Sequence, residues 1–451
     1  MKKINRRLFL GSASIVGTGM VLKPGSIWAA NRVLDEKPAL LGGEKTVTRG
    51  FPRWPIVDAT EEKALLAAVR GRGWGRRAKN NAADHFENNY ANLLGANHCL
   101  TVNSGTSALF TMMGALNIGP GDEVILPVYT FIATYNAVVL HNALPIIVDI
   151  DPESFQIDPK KMEAAITKET KALMPVHIAG SPADLDSILE VGDRHNLPVI
   201  EDACQAHLAE WKGKKVGTFG IGGAFSFQES KNLNCGQGGA ITTNNRQFMD
   251  ACTGFHHQGA LLPDNPYAQG GVRGGNLRMT EFQASILNAQ MTRLEQQAKT
   301  RSENAAYLSG MLNEIPGIAP AKLYPGTTNS AYHLYMFRYD SNYFAGMSRA
   351  LFMEALSAEG VPCSGGYGQM EKTPRVISLA HNRHYVKIYG EKTMADWLER
   401  IQCPHNAKVS AEIAVWFTQT VLLGTKTDME QIAEAIRKIQ KYAHEIKKAR
   451  R

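Results

Sequence analysis

The chain has 451 residues, of which 44% are hydrophobic and 8% aromatic, enough to bury a large core and to build two domains or more. Its formal net charge of +7 is carried largely by its ends, with Lys2, Lys3, Arg6, Arg7 and Lys23 unopposed by any acid among the first 29 residues and Lys447, Lys448, Arg450 and Arg451 closing the chain. No basic stripe with interleaved aromatics lies between them, which argues against nucleic acid as a partner. The six cysteines, at positions 99, 204, 235, 252, 363 and 403, form no Cys-x-x-Cys pair, which argues against a metal site.

At the N-terminus, Arg6 and Arg7 precede a mild apolar run that reaches Leu22 and is followed by Lys23, Pro24 and a small-residue stretch to Ala30. This resembles a twin-arginine signal, and the run is shorter than the roughly 20 residues of a membrane span. The expectation is a signal over residues 1–29 and a periplasmic or other extracytoplasmic protein, with an uncleaved leader on a cytoplasmic enzyme as the alternative.

Further along, residues 100–109 read as a strand, a turn of small residues (Ser104, Gly105, Thr106, Ser107) and the start of a helix, whose free amides and hydroxyls suit a phosphate. Strand-like runs at 124–126, 145–148, 172–176 and 199–200 alternate with helical stretches, the pattern of an α/β fold with a mostly parallel sheet covered by helices. Ligands gather at the C-terminal ends of such strands. The run at 198–200 ends in Glu201 and Asp202, an acid able to reach a bound ring. Lys231 follows a short aromatic strand and precedes a glycine-rich turn (Gly236, Gly238, Gly239) that leads into the strand 240–243. An amine so placed, reachable and partly desolvated, can form a Schiff base with an aldehyde cofactor.

A turn-rich loop over 263–275 precedes a long helical pattern in which Leu287, Met291, Leu294 and Ala298 share a face. Near the end, Thr427 and Glu430 read as a capping box, with Ile432, Ile436, Ile439 and Ala443 as an apolar face.

Taken in order, the segments at 103–109, 127–134, 148–151, 201–207, 226–239, 275–284 and 330–334 resemble the DegT/DnrJ/EryC1/StrS family of sugar and cyclitol aminotransferases, a branch of the fold-type I pyridoxal phosphate enzymes. The resemblance runs from about Gly50 to the C-terminal helix. It implies a large cofactor-binding domain within 30–290, a bridging helix and small α/β domain over 291–451, and pyridoxal 5'-phosphate as the cofactor. It also implies roles for single residues. Lys231 matches the Schiff-base lysine and Asp202 the acid on the pyridine nitrogen. Gln205 lies near the ring hydroxyl, and Ser226, Gly105 and Thr106 form the phosphate seat. Phe131 stacks on the ring, with Tyr129 as the competing aromatic. Asn276 reaches the phosphate of a neighbouring subunit, which makes a homodimer with shared sites, and His333 faces the substrate.

Residues 226–231 and 360–367 look more like the branch that aminates keto-inositols than the branch acting on nucleotide-linked sugars. Gln237 stands where glutamate is common and Leu208 where glycine is common. The function so implied is transfer of an amino group from glutamate or glutamine to a keto-sugar or keto-cyclitol. The alternative is an exported cofactor-binding sensor or scaffold without turnover.

Overall fold

The computed structural model describes residues 37–76, 81–259, 264–267 and 273–450. The twin-arginine-like leader lies outside them, as do Pro263 and residues 268–272 of the turn-rich loop.

In chain order the N-terminal half contains α1 (Ala59–Gly71), α2 (Ala82–Leu94), β1 (His98–Val102), α3 (Gly105–Ala115), β2 (Glu123–Pro127), α4 (Ile132–Val139) and β3 (Leu144–Val148). There follow β4 (Thr170–Leu173), α5 (Leu185–His195), β5 (Ile200–Asp202), β6 (Gly222–Ser226), β7 (Gly239–Thr243) and α6 (Arg246–His256). Every residue of β2 and β3 is buried, as near-continuous apolar runs must be when both faces of a parallel sheet are covered. Ile125 of β2 pairs in parallel with Ile146 on one side and Leu173 on the other.

A second set pairs in the order β1-β7-β6-β5, and the parallel bridges Leu173 to Val199 and Val176 to Asp202 join it to the first. The combined order is β3-β2-β4-β5-β6-β7-β1, with β7 running against the other six. The mostly parallel α/β sheet is therefore as the sequence implies.

The chain continues with α7 (Glu281–Leu312), β8 (Ile318–Pro320), β9 (Leu334–Tyr339), α8 (Arg349–Ala358), β10 (Ala414–Thr418) and α9 (Lys426–Lys441). Strands β8, β9 and β10 form a separate antiparallel sheet. The division placed at 290/291 falls inside α7, which is one unbroken helix of 32 residues opened by a Thr280–Gln283 capping box. Its first half packs Ala284, Leu287, Leu294 and Ala298 with Phe225 and Phe227 beside the large sheet. Its last turns pack Ala305, Leu308 and Leu312 with Phe337, Phe417 and Ile436. Residues 370–403 return to the large core, where Trp397 Nε1 donates to the carbonyl of Pro145 at 2.8 Å.

The capping box of α9 also differs from expectation. Thr425 caps the helix, its hydroxyl accepting from the Asp428 N–H at 3.2 Å while Asp428 Oδ2 accepts from the Thr425 N–H at 2.6 Å. Thr427 and Glu430 lie inside the helix, and Glu430 instead accepts from the Tyr307 hydroxyl at 2.6 Å. Two threonine–acid pairs with the same spacing overlap here, and Gly424 just ahead of Thr425 lets the shorter acid close the cap.

The start of the described chain is clamped to this second core. Glu359, fully buried, accepts from the Ala39 N–H at 2.7 Å, from the Thr46 N–H and hydroxyl at 2.9 and 2.7 Å, and from Lys438 Nζ at 3.2 Å. Lys438 Nζ donates as well to the carbonyl of Glu44 at 2.8 Å.

Candidate active site

The C-terminal ends of β2, β5 and β6, the start of β7 and the N-terminus of α3 meet around one cavity of about 590 Å³. Its walls include Gly105, Thr106, Phe131, Asp202, Gln205, Ser226, Lys231 and His333, so eight of the nine residues singled out in the sequence converge. Two glycines make this convergence possible. A Cβ on Gly105 would stand 2.7 Å from the Ser226 Cβ and 2.9 Å from the Cys204 sulfur, and one on Gly239 would stand 2.4 Å from the Ser104 backbone. Ser104 caps α3, its hydroxyl accepting from the Ser107 N–H at 3.0 Å, which leaves the first amides of the helix directed at the cavity for an anion.

Lys231 sits in a turn held from several sides. Its N–H donates to the Gln228 carbonyl at 2.8 Å, and the next residue, Asn232, donates through Nδ2 to the Ala331 carbonyl at 2.7 Å. The amine itself has no hydrogen-bond acceptor or ion-pair partner among the described residues. Burial pushes it below its usual 10.5, against the opposing pull of Cys204 and Asp202. A lysine desolvated in this way presents more free amine near neutral pH, which a nucleophile or a proton carrier requires.

Asp202 is buried and fixed at both oxygens, Oδ2 accepting from the Thr134 hydroxyl at 2.8 Å and Oδ1 from the Cys204 N–H at 3.2 Å. The Thr134 hydroxyl is in turn 2.9 Å from that of Thr130. Behind the strand, Glu201 accepts from the N–H groups of Gly217, Phe219 and Gly220 and pairs with His177 Nε2 at 3.1 Å, which makes the end of β5 rigid. Gln205 is held by the Ala179 N–H, which donates to Oε1 at 2.8 Å, and by Nε2 donating to the Tyr367 hydroxyl at 2.9 Å.

His207, from the same segment, supports the floor. A carbonyl can only accept, so Nε2 donates to the Ser226 carbonyl at 2.9 Å, and Nδ1 accepts from the Tyr90 hydroxyl at 2.8 Å. Burial keeps this imidazole neutral, pushing it down to about 3.

Between the two aromatics, the cavity takes Phe131, which opens α4 and is 55% exposed, whereas Tyr129 is fully buried against Phe155 and Tyr367 and lies outside the lining. His333 lines the cavity, with burial, Lys231 and nearby cations holding its imidazole well below 6.5. Asn276 does not join the site of its own chain. It is exposed, in a bridge with His257. Leu208, in place of the common glycine, adopts φ 65, a left-handed conformation that glycine enters at less cost. All six cysteines are free thiols. Sequence reasoning did not single out Thr134, or Tyr367 and Trp416 as wall residues. Thr134 and Tyr367 lie at the ends of segments read as motifs, but no residue type there marks a wall, and Trp416 arrives from a strand of the second core.

The model of the DegT/DnrJ/EryC1/StrS aminotransferase family matches residues 57–384. The chain belongs to this family. It is 34% identical over 422 residues to the L-glutamine:2-deoxy-scyllo-inosose aminotransferase of Streptoalloteichus tenebrarius, covering 91% of this chain and 99% of that one. To the L-glutamine:scyllo-inosose aminotransferase of Streptomyces griseus it is 31% identical over 430 residues, covering 92% of this chain and 100% of the relative. Among solved structures, that of 3-amino-5-hydroxybenzoic acid synthase is similar at a TM-score of 0.74 and 30% identity, covering 86% of this chain and 98% of that one. The protein is thus a fold-type I, pyridoxal phosphate-dependent aminotransferase. The cavity fits that cofactor, with a helix N-terminus cradled by Gly105 for a phosphate, an anchored carboxylate for a ring nitrogen and, for an aldehyde, a partly desolvated amine without a partner among the described residues.

Proposed function

We propose that this enzyme moves the amino group of glutamine to a keto-cyclitol of the inosose type. The observation that carries this reading is the near full-length similarity to relatives named for that donor and that acceptor. Bound pyridoxal phosphate supplies the electron sink and carries the amino group between the two substrates.

The chain's own residues divide the remaining work. Lys231 binds the cofactor and its Nζ, its pKa lowered by burial, takes a proton from the reacting carbon of the donor and returns one to that of the acceptor. Asp202, oriented by Thr134 and the Cys204 amide, presents an anion to the ring nitrogen. Gly105, Thr106 and Ser226 bind the phosphate, Gln205 fixes the ring edge, and Phe131 covers a ring face. His333, its imidazole pushed toward the neutral form by burial, faces the substrate with a nitrogen that has no partner among the described residues. Asn276, exposed and outside the lining of its own cavity, serves the phosphate of a second copy, so the working unit is a homodimer. The large domain is assigned to 30–290, the first half of α7 and residues 370–403 packing with its core, and the remainder of 291–451 forms the smaller domain. The leader directs export by the twin-arginine route, supported by Arg6 and Arg7 ahead of the apolar run and checked by fractionating cells that carry an Arg6→Lys, Arg7→Lys chain.

The decisive experiment is a screen of reconstituted protein against glutamine, glutamate, scyllo-inosose and 2-deoxy-scyllo-inosose, read by visible absorbance and by product amine. Glutamine should change the spectrum and either inosose should restore it. A spectrum that no donor changes would instead favour the sensor, and product formed by Lys231→Ala would refute the assignment of the lysine.

A further inference from the structure

Outside the Lys231 cavity, several donors without acceptors stand together at a second buried place among the described residues. Arg301 of α7 is fully buried, and its Nε donates to Gln419 Oε1 at 2.9 Å. Its Nη1 and Nη2, also buried, have no acceptor. The two side chains next to it carry unpaired donors as well as the groups that receive its charge. The guanidinium lies 5.4 Å from the centre of the Trp54 ring, whose buried Nε1–H is unpaired, and Gln419 Nε2 is unpaired too.

No carboxylate pairs with Arg301 among the described residues, and burial alone pushes it down to about 9. A guanidinium cannot accept a hydrogen bond, nor can an indole N–H or an amide nitrogen, so these atoms cannot satisfy one another. A buried cation whose partners are one amide oxygen and a ring face, with both Nη groups left without acceptors, is strongly unfavourable unless an anion accompanies it. Buried orphans of this kind in a native protein call for a bound ion or water.

We propose that Arg301, Gln419 and Trp54 form an anion site that takes a monoanion of halide size, between α7 and the end of β10. One guanidinium sets the charge at minus one. The burial of Arg301 and Gln419, which are 0% and 2% exposed, sets the small size. The site is separate from the cofactor cavity, since none of the three residues lines it. It nonetheless stands behind the wall of that cavity, because the Gln419 N–H donates to the carbonyl of His333 at 3.1 Å. The anion therefore joins three separate segments, the chain at Trp54, the bridging helix and the strand end that backs His333.

Crystals of the holoenzyme soaked in sodium bromide test this directly. An anomalous peak within hydrogen-bonding distance of Arg301 Nη and Gln419 Nε2 is expected, whereas water molecules or protein atoms filling that position in bromide would overturn the site. Thermal melts of the holoenzyme in sodium chloride against sodium gluconate at equal ionic strength provide a second measure. Chloride should raise the melting temperature by about 2–4 °C and level off as the site fills. Arg301→Met should abolish that chloride-specific rise, and Trp54→Phe, which keeps the ring but removes one donor, should shift its midpoint to higher chloride. Equal melting of the unsubstituted enzyme in the two salts would overturn the proposal even if neither variant folds.

Discussion

Lys438 is fully buried and Lys231 largely withdrawn from solvent, and they differ in what their amines meet. Lys438, on α9, meets a carboxylate, a carbonyl and a hydroxyl, and with Glu359 it ties residues 39–46 to the second core. Lys231 meets none of these, although the backbone around it is firmly held. A buried charge given all its partners holds the fold together, and one denied them holds back reactivity for a ligand to use. The chain thus tolerates locally unfavourable electrostatics where chemistry is done and avoids them at a purely structural joint.

The sharpest test of that contrast removes each amine in turn. Lys231→Ala should lower kcat by about 10⁴-fold or more, in line with loss of both attachment and proton transfer. The melting temperature of the cofactor-free protein should not fall, because no partner is stranded. Lys438→Met should behave in the opposite way, losing about 3–5 kcal/mol in urea unfolding because Glu359 is left buried and unpaired. Its kcat per folded molecule should be unchanged.

A smaller effect is expected from Thr134→Val, which removes the hydroxyl on Asp202 Oδ2. A hydrogen bond to a charged group is worth about 1.5–3 kcal/mol. The expected fall in kcat is therefore about 10- to 100-fold, and steady-state kinetics with Thr134→Ser as the rescuing variant would check it.

The smallest effect is a pH slope. Burial lowers the folded-state pKa of Lys231 below 10.5, so between the two values the unfolded chain binds more protons than the folded one. Stability of the cofactor-free protein should rise with pH in that window, by at most about 1.4 kcal/mol per pH unit. The full cost of burying the charge is present at lower pH. Lys231→Met should flatten the slope, and Lys438→Met should leave it in place.

The large sheet and the cofactor end were legible in the sequence for a local reason. The apolar runs of β2 and β3 announce buried parallel strands, and Asp202 and Ser226 end strands with Lys231 in the turn that follows, so chain order delivers them to one edge. Tyr367, Trp416 and Arg301 could not be read in that way, because each depends on how α7 and β10 fold back over the sheet. Local patterns also failed where two competed. Thr425 with Asp428 and Thr427 with Glu430 offer the same spacing, and the first closes because Gly424 leaves room for the Asp428 carboxylate, which a Cβ there would approach to 2.8 Å. Leu208 was visible as a departure from the family, but its cost, a left-handed backbone at a buried leucine, is a property of the folded turn.

The unbroken course of α7 has a consequence for how this protein can change in length. The helix presents Leu287 and Leu294 to one core and Leu308 and Leu312 to the other, and each residue advances the spiral by about 100° and 1.5 Å. One residue inserted near Gln290 would therefore rotate every later side chain by more than a quarter turn, swinging Arg301 away from Gln419 and Leu308 out of its core. The loops on either side can accept additions singly, but α7 can grow or shrink only by near-whole turns, so its residue count should be among the least variable lengths in the chain.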